Sequence, residues 1–353
     1  MSALRATLYR FRKAAERLGL GPLAVTLFHR PLGHARAWVR AGGPGGRARL
    51  DAARHEMIEA AHRLPPLARR GGPAVEVAYL TGESVWEQTL LSVVSLVLHA
   101  DRAVTPVFYD DGTLDADVAA WLTRVVPWAR VVTANEAEAR LDRVLPEAAY
   151  PVLRARRRAY VHLRKLLDIR AGSTRHQLVL DSDTLFHRRP DALLDWPTHG
   201  ASGRPEAGLY MADARNAYGY SRTLLQEVAG GPVRPRVNVG VCGLDDAEID
   251  WDRVEGWCRT LEAREGAHYF LEQALSALCL SVRPAKALPP QDYVLRPSRA
   301  EVLHPEAVMH HYVLGSRRHY VRHAWGPVAQ MATEAGRSGD PTTSVQGTST
   351  RRR

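Results

Sequence analysis

"AVEVAYLTGESVWEQTLLSVVSLVLHADRAVTPVFYDDG", residues 74–112, holds two apolar runs separated by a segment of helical spacing. Residues 74–82 read as a buried strand stopped at Gly82, 85–100 as a helix, and 103–112 as a second strand closing on "YDDG". A second round follows: "TLDADVAAWLTRVV" (113–126) has helical spacing, "ARVVTAN" (129–135) is a short strand, and "EAEARL" opens another helix. Strands alternating with helices predict βαβ units and a mainly parallel sheet. A long basic helix over 151–171 then leads to the strand in "LVLDSDTLF" (178–186). Beyond it the pattern loosens. Strands are expected near 208–212, 236–243 and 308–313, and helices over 217–229 and near 250–264 and 267–280. The expected fold class is α/β, with a mainly parallel sheet and a mixed C-terminal half.

The flanks differ from this core. The chain has 353 residues and a formal charge of +10, and residues 1–70 hold 14 Lys and Arg against 4 Asp and Glu, so the remainder nets to zero. Leu4, Leu8, Phe11, Ala15 and Leu18 share one helical face flanked by Arg5, Arg12, Lys13 and Arg17. Such a basic amphipathic helix suits an anionic membrane surface, and equally a solvated helix packed on the main domain. "AGGPGGRA" (41–48) reads as a flexible break and "RLPPLARRGGP" (63–73) as a domain boundary. The tail from Glu334 is polar and expected to be disordered. The expected organisation is therefore a helical N-terminal region (1–70), a main domain (71–333) and a tail (334–353). Cys242, Cys258 and Cys279 are odd in number and lack C-x-x-C spacing, which argues against a disulfide framework or a cysteine zinc site. No apolar run reaches the roughly 20 residues that span a bilayer. "LGLGPLAVTLF" (18–28) is interrupted by Gly-Pro and has no cleavage site behind it, so a cytoplasmic location is expected.

The chemistry concentrates at Asp181 and Asp183, two carboxylates at the end of a buried strand. Charge there is costly unless water, a metal or a cation meets it. Ligands of open parallel sheets sit beyond the carboxyl ends of the strands. Two hard oxygen donors two residues apart suit Mg²⁺ or Mn²⁺, which would also hold phosphates. The alternative is a turn in which the aspartates cap the next segment. Two enzyme classes place D-x-D at such an end. Haloacid-dehalogenase-type phosphotransferases use it with a nucleophilic aspartate, here Asp181, and "GLDD" (243–246) could imitate their second acidic site.

The second class is the nucleotide-sugar glycosyltransferases, and further stretches fit it. "VAYLTG" (77–82), "LVLDSDTLF", "VNVGVCG" (237–243) and "HYFLEQALSAL" (268–278) occur in order, and "HHYVLGSRRHY" (310–320) follows them. From about residue 74 to 325 the chain resembles A-type glycosyltransferases, in particular the branch containing glycogenin and bacterial lipooligosaccharide galactosyltransferases. The resemblance implies a Rossmann-like nucleotide-sugar transferase (A-type) domain. It implies Asp181, Asp183 and His311 as ligands of Mn²⁺ or Mg²⁺. It places Thr81, Gly82, Ser182 and Gly240 near the donor, and Gly315 and Arg318 in a closing H-Y-x-G-x-x-K-P-W motif that here carries one extra residue and Arg in place of Lys. Arg164 or Lys165 could add positive charge near the phosphates, or form only a solvated basic face. His310 and His311 alternate in a strand, so at most one reaches the metal. The H-Y match favours His311. The resemblance implies Asn238, Glu272 and Gln273 as the sugar-side residues; Glu272 could instead be only a helix N-terminal acid, and Asn238-x-Gly240 only a bulge. An inverting enzyme needs a carboxylate base, and a retaining one would place Gln273 or Glu272 near the anomeric carbon.

The implied partners are a nucleotide-sugar donor, expected to be UDP-linked, a glycan or lipid-linked acceptor, and peripheral contact with the inner face of an anionic membrane. No nucleic-acid motif is present. A non-catalytic basic membrane- or nucleic-acid-binding protein is the third reading.

Overall fold

The computed structural model describes residues 43–173, 175–198 and 208–338. The amphipathic segment around Leu4–Leu18 and the residues beyond Ser338 lie outside the described residues. The chain divides into two compact units at Glu56/Met57, and the fold below belongs to the second. Among the described residues no helix is long and apolar enough to cross a membrane.

Seven strands form the main sheet: β1 (Val75–Thr81), β2 (Val104–Asp110), β3 (Arg130–Val132), β4 (His176–Leu180), then, after the short β5 (Thr184–Phe186) outside it, β6 (Gly208–Ala212), β7 (Val237–Asp245) and β8 (Ala285–Ala287). Their order is β3-β2-β1-β4-β7-β6-β8. β3, β2, β1 and β4 run parallel, and β7 alone opposes its neighbours. A second sheet, in the order β5-β10-β9, joins β5 to β9 (Tyr293–Leu295) and β10 (Met309–His311). The α/β class, the mainly parallel sheet and the mixed second half match the sequence reading.

Side chains alternate across each strand, and the core divides accordingly. Leu178 and Leu180 of β4 join Tyr79, Leu90 and Leu91 on one face, while Val179 joins Ala78, Val107 and Ile169 on the other. Further along the sheet, Tyr210 and Cys242 pack with Leu271, Leu275 and Leu278. All three cysteines are buried and free. Both faces of the sheet are covered, which explains the almost continuously apolar strands.

Several elements differ from the reading. The basic segment 151–171 breaks into helices Pro151–Ala159 and Arg164–Arg170 with a short 3₁₀ turn, Val161–Leu163, between them. The break separates residues that face Glu138 and Glu255 from residues that face the sheet. The glycine-rich stretch expected as a break enters helix Gly43–His62, and helix Trp325–Ser338 carries order into the segment read as a tail. Val328 and Ala332 of that helix are buried in the core, and their packing outweighs the polar composition around them.

Candidate active site

The opposed direction of β7 builds the site. β4 ends at Leu180 against the middle of β7, with Leu180 opposite Val241 and the Asp181 amide donating to Gly240 O at 3.0 Å. Asp181, Asp183, Asn238 and Gly240 therefore share one edge of the sheet. The same reversal sends "GLDD" to the other edge: Asp245 lies opposite His176, and Asp246 is buried against Arg170 at 2.8 Å. It cannot serve as a second acidic site for Asp181.

β5 folds back from the D-x-D loop, and β10 pairs with it so that His311 lies opposite Thr184. His311 Nε2 comes 3.1 Å from Asp183 Oδ1 and 3.4 Å from Asp181 Oδ2. One ligand atom from each of the three residues lies within 4.8 Å of the others. The His311 ring is buried, and its nitrogens make no well-aligned hydrogen bond there. Two carboxylates and the imidazole nitrogen that they face make a mixed oxygen–nitrogen set that fits Mn²⁺ or Mg²⁺. His310 points away, 3.2 Å from the Tyr312 hydroxyl and with its ring 4.5 Å from that of His187. Gly240 makes the His311 position available, because a Cβ there would meet the ring at 2.2 Å.

Lys165 takes the other side of Asp181. Its Nζ donates to Asp181 Oδ1 at 2.6 Å and to Val239 O at 3.3 Å, and lies 3.9 Å from Glu272 Oε1. Asp181 thus offers Oδ1 to a lysine and Oδ2 to the histidine side. Surrounding protein would raise its carboxyl, but Lys165 and His311 hold it well below the usual range. Burial would depress His311, and Asp183 and Asp181 push it up to about 9. Burial lifts Glu272 to about 7, against the pull of Lys165. Arg317, not singled out from the sequence, brings Nη2 to 3.4 Å from Asp183 Oδ2. The extra residue in the H-Y-x-G motif left the position of its cation ambiguous. Gly315 and Arg318 lie on the same exposed stretch. There the left-handed residue is Leu314, with φ 54°.

The remaining candidates spread around this centre. Asn238 Oδ1 accepts from the Gly240 amide at 2.9 Å, and its Nδ2 donates to Asp213 Oδ2 at 3.1 Å. Asp213 follows β6 and was missed; its signal was its position just past an apolar strand. Gln273 Nε2 donates to Ala217 O at 2.9 Å. Gly82 ends β1 where a Cβ would meet Asp111 Oδ1 at 2.0 Å. Arg164 turns away from Lys165 and packs on the turn at Gly112, whose positive φ and bare Cα make room. Thr81 and Ser182 are held internally: Thr89 Oγ1 lies 2.8 Å from Thr81 Oγ1 and 2.7 Å from Ser182 Oγ. Asp110 closes its turn by accepting from the amides of Gly112, Leu114 and Ala134.

No protein-family model and no curated relative matches the sequence. Solved structures to which the chain is similar include glycosyltransferases. The bifunctional glycosyltransferase WbbM is 15% identical over 70% of this chain, with a TM-score of 0.46; the chain spans about half of its length, 47%. The galactosyltransferase LgtC, solved with donor and acceptor sugar analogues, is 14% identical over 77% of this chain and 97% of its own, with a TM-score of 0.43. The mannosyltransferase Ktr4p of S. cerevisiae is 10% identical over 67% of this chain and 75% of its own, with a TM-score of 0.41. What those proteins act on is a property of theirs; the chemistry of this chain is read from its own side chains.

Proposed function

We propose that the chain is a metal-dependent glycosyltransferase that moves a sugar from a nucleoside-diphosphate donor, in the first instance a UDP-sugar, to a glycan or lipid-linked acceptor. The observation that carries this reading is the meeting of Asp181, Asp183 and His311 at one sheet edge, with Lys165 and Glu272 beside them. Asp181, Asp183 and His311 would hold Mn²⁺ or Mg²⁺. When bound, the ion neutralises charge on the departing diphosphate. Lys165 and Arg317 place fixed positive charge around the same carboxylates, where phosphate oxygens would lie. Asn238, held by Asp213 and the Gly240 amide, presents a rigid polar group on the sugar side. Glu272 is buried, and its carboxyl is raised to about 7. It is suited to take the acceptor hydroxyl proton or to stand beside the anomeric carbon. Gln273 fixes the start of its helix to Ala217.

The phosphotransferase reading is weaker. Asp181 is committed to Lys165, and "GLDD" lies at the opposite edge. We assign the basic amphipathic segment around Leu4–Leu18, with Arg5, Arg12, Lys13 and Arg17, to peripheral attachment at the cytoplasmic membrane face. Calorimetric titration tests the donor reading: UDP should bind with Mn²⁺ present and bind at least about tenfold more weakly to Asp183→Ala, the scale on which metal-site changes act. UDP binding indifferent to both would remove it.

A further inference from the structure

An aromatic group lies beside this centre and takes no part in the metal-type cluster. Tyr160 and His162 flank the 3₁₀ turn that leads into Arg164 and Lys165. Tyr269 and Phe270 immediately precede the helix that carries Glu272 and Gln273. The two segments meet. Ring centroids lie 5.3 Å apart for Tyr160–His162, 5.4 Å for His162–Tyr269, 6.2 Å for Tyr160–Tyr269 and 5.2 Å for Tyr269–Phe270. The Tyr160 hydroxyl donates to the backbone carbonyl of Tyr269 and ties one segment to the other. His268 is seated on Gly219, where a Cβ would meet its ring at 2.0 Å. The two segments are thus tied together, yet Tyr269 leaves 61% of its surface in solvent, and Val161, between Tyr160 and His162, is exposed as well.

Single exposed apolar side chains are ordinary, but Tyr269 is a bared ring packed edge-on against three others and tied to them through its backbone carbonyl. The cluster adjoins the site along both segments: Tyr269 lies three residues before Glu272, and His162 three residues before Lys165. An aromatic face presents a flat apolar surface with polar groups at its rim. That is the complement of a pyranose, which has one face of C–H groups and a rim of hydroxyls. A lipid chain would want a continuous groove, whereas here a single ring is bared among polar neighbours and beside a buried carboxylate.

We infer that Tyr269, supported by Tyr160, His162 and Phe270, is a stacking platform for a pyranose of the acceptor, which makes the acceptor a glycan whose terminal sugar lies flat on Tyr269 with a hydroxyl turned toward Glu272. The inference rests on the proposed sugar transfer and names its acceptor class. A ring-stacked sugar is held in register against the donor without needing a charged contact, so the platform selects for a pyranose end more than for any one hydroxyl pattern.

The test uses the full chain with Mn²⁺, a UDP-sugar that it hydrolyses, and a panel of methyl pyranosides, lactose, maltose and cellobiose as acceptor probes. At least one probe should accelerate donor turnover. Its KM should rise about tenfold in Tyr269→Ala, the size of a lost aromatic stack, with the donor KM unmoved and Tyr269→Phe close to the parent. Saturation-transfer NMR on the same probe should show transfer to its ring C–H protons in the parent and lose it in Tyr269→Ala. Donor turnover that no pyranoside accelerates, or an accelerating probe whose KM and transfer ignore Tyr269→Ala, would overturn the platform while leaving sugar transfer standing. Absence of donor turnover would instead overturn the sugar-transfer reading, and the platform with it.

Discussion

A methyl group on Gly240 would fall 2.2 Å from the His311 ring, so Gly240→Ala must push the imidazole off Asp181 and Asp183. Mn²⁺ affinity measured by titration should drop about 10- to 100-fold, the cost of disturbing a group that orients a ligand. An unchanged affinity would remove His311 from the ligand set. Lys165 poses a second test. Its Nζ compensates Asp181 in a site where Lys165 is 9% and Asp181 26% exposed. Lys165→Met would leave that carboxylate with His311 as its sole counter-charge among the described residues and should cost about 3 kcal/mol in urea unfolding without metal. Mn²⁺ should then stabilise the variant more than the parent, because the ion supplies the missing positive charge. Glu272 carries the pH dependence. Its carboxyl is raised to about 7, so it is protonated below that value and becomes a competent base above it. The acceptor-dependent rate should climb through about pH 7 and level off. The climb should vanish in Glu272→Gln, and a profile flat between pH 6 and 8 would remove Glu272 as the base.

At the scale of elements, helix Trp86–His99 shows how the D-x-D loop is held. Thr89, Ser92 and Ser95 recur every third residue and face the loop: Thr89 meets Ser182, Ser92 meets Thr184 at 2.8 Å, and Ser95 accepts from the Phe186 amide at 3.0 Å. All three hydroxyls are buried. Thr89→Val keeps the shape, strands the Thr81 hydroxyl and leaves Ser182 only the Leu80 carbonyl, which should cost about 1–3 kcal/mol in urea unfolding. A cost near zero would mean the row does not hold the loop. This row was visible as spacing, but nothing local tells a buried hydroxyl stripe from a solvated one. The same limit governs the rest. β1, β2 and β4 were legible because their apolar runs end abruptly in glycine or acid. The short β5, β8 and β9 were not, because no long apolar run marks them out and they owe their existence to partners elsewhere in the chain. The pairing of Asp181 with Asp183 could be read from spacing, and His311 from its motif. The lysine on Asp181 could not be told from its neighbour Arg164, since only the 3₁₀ break at Val161–Leu163 decides which of the two faces the sheet.

At the scale of the molecule, charge and core separate. The excess positive charge lies in residues 1–70, yet Met57, Ala61, Leu64 and Leu67 are buried in the main core. Removing residues 1–42 should abolish sedimentation with anionic vesicles. Removal through Arg70 should destroy cooperative unfolding, because it takes those core side chains away. Vesicle binding that survives the shorter truncation would refute attachment through the basic segment. The central claim is sugar transfer, and one experiment meets it directly: Mn²⁺-dependent hydrolysis screened against UDP-, GDP- and TDP-sugars, with Asp183→Ala alongside. The expected result is slow release of UDP from one UDP-sugar, lost in the variant. No release from any donor, with hydrolysis of simple phosphate esters that requires Asp181, would contradict it.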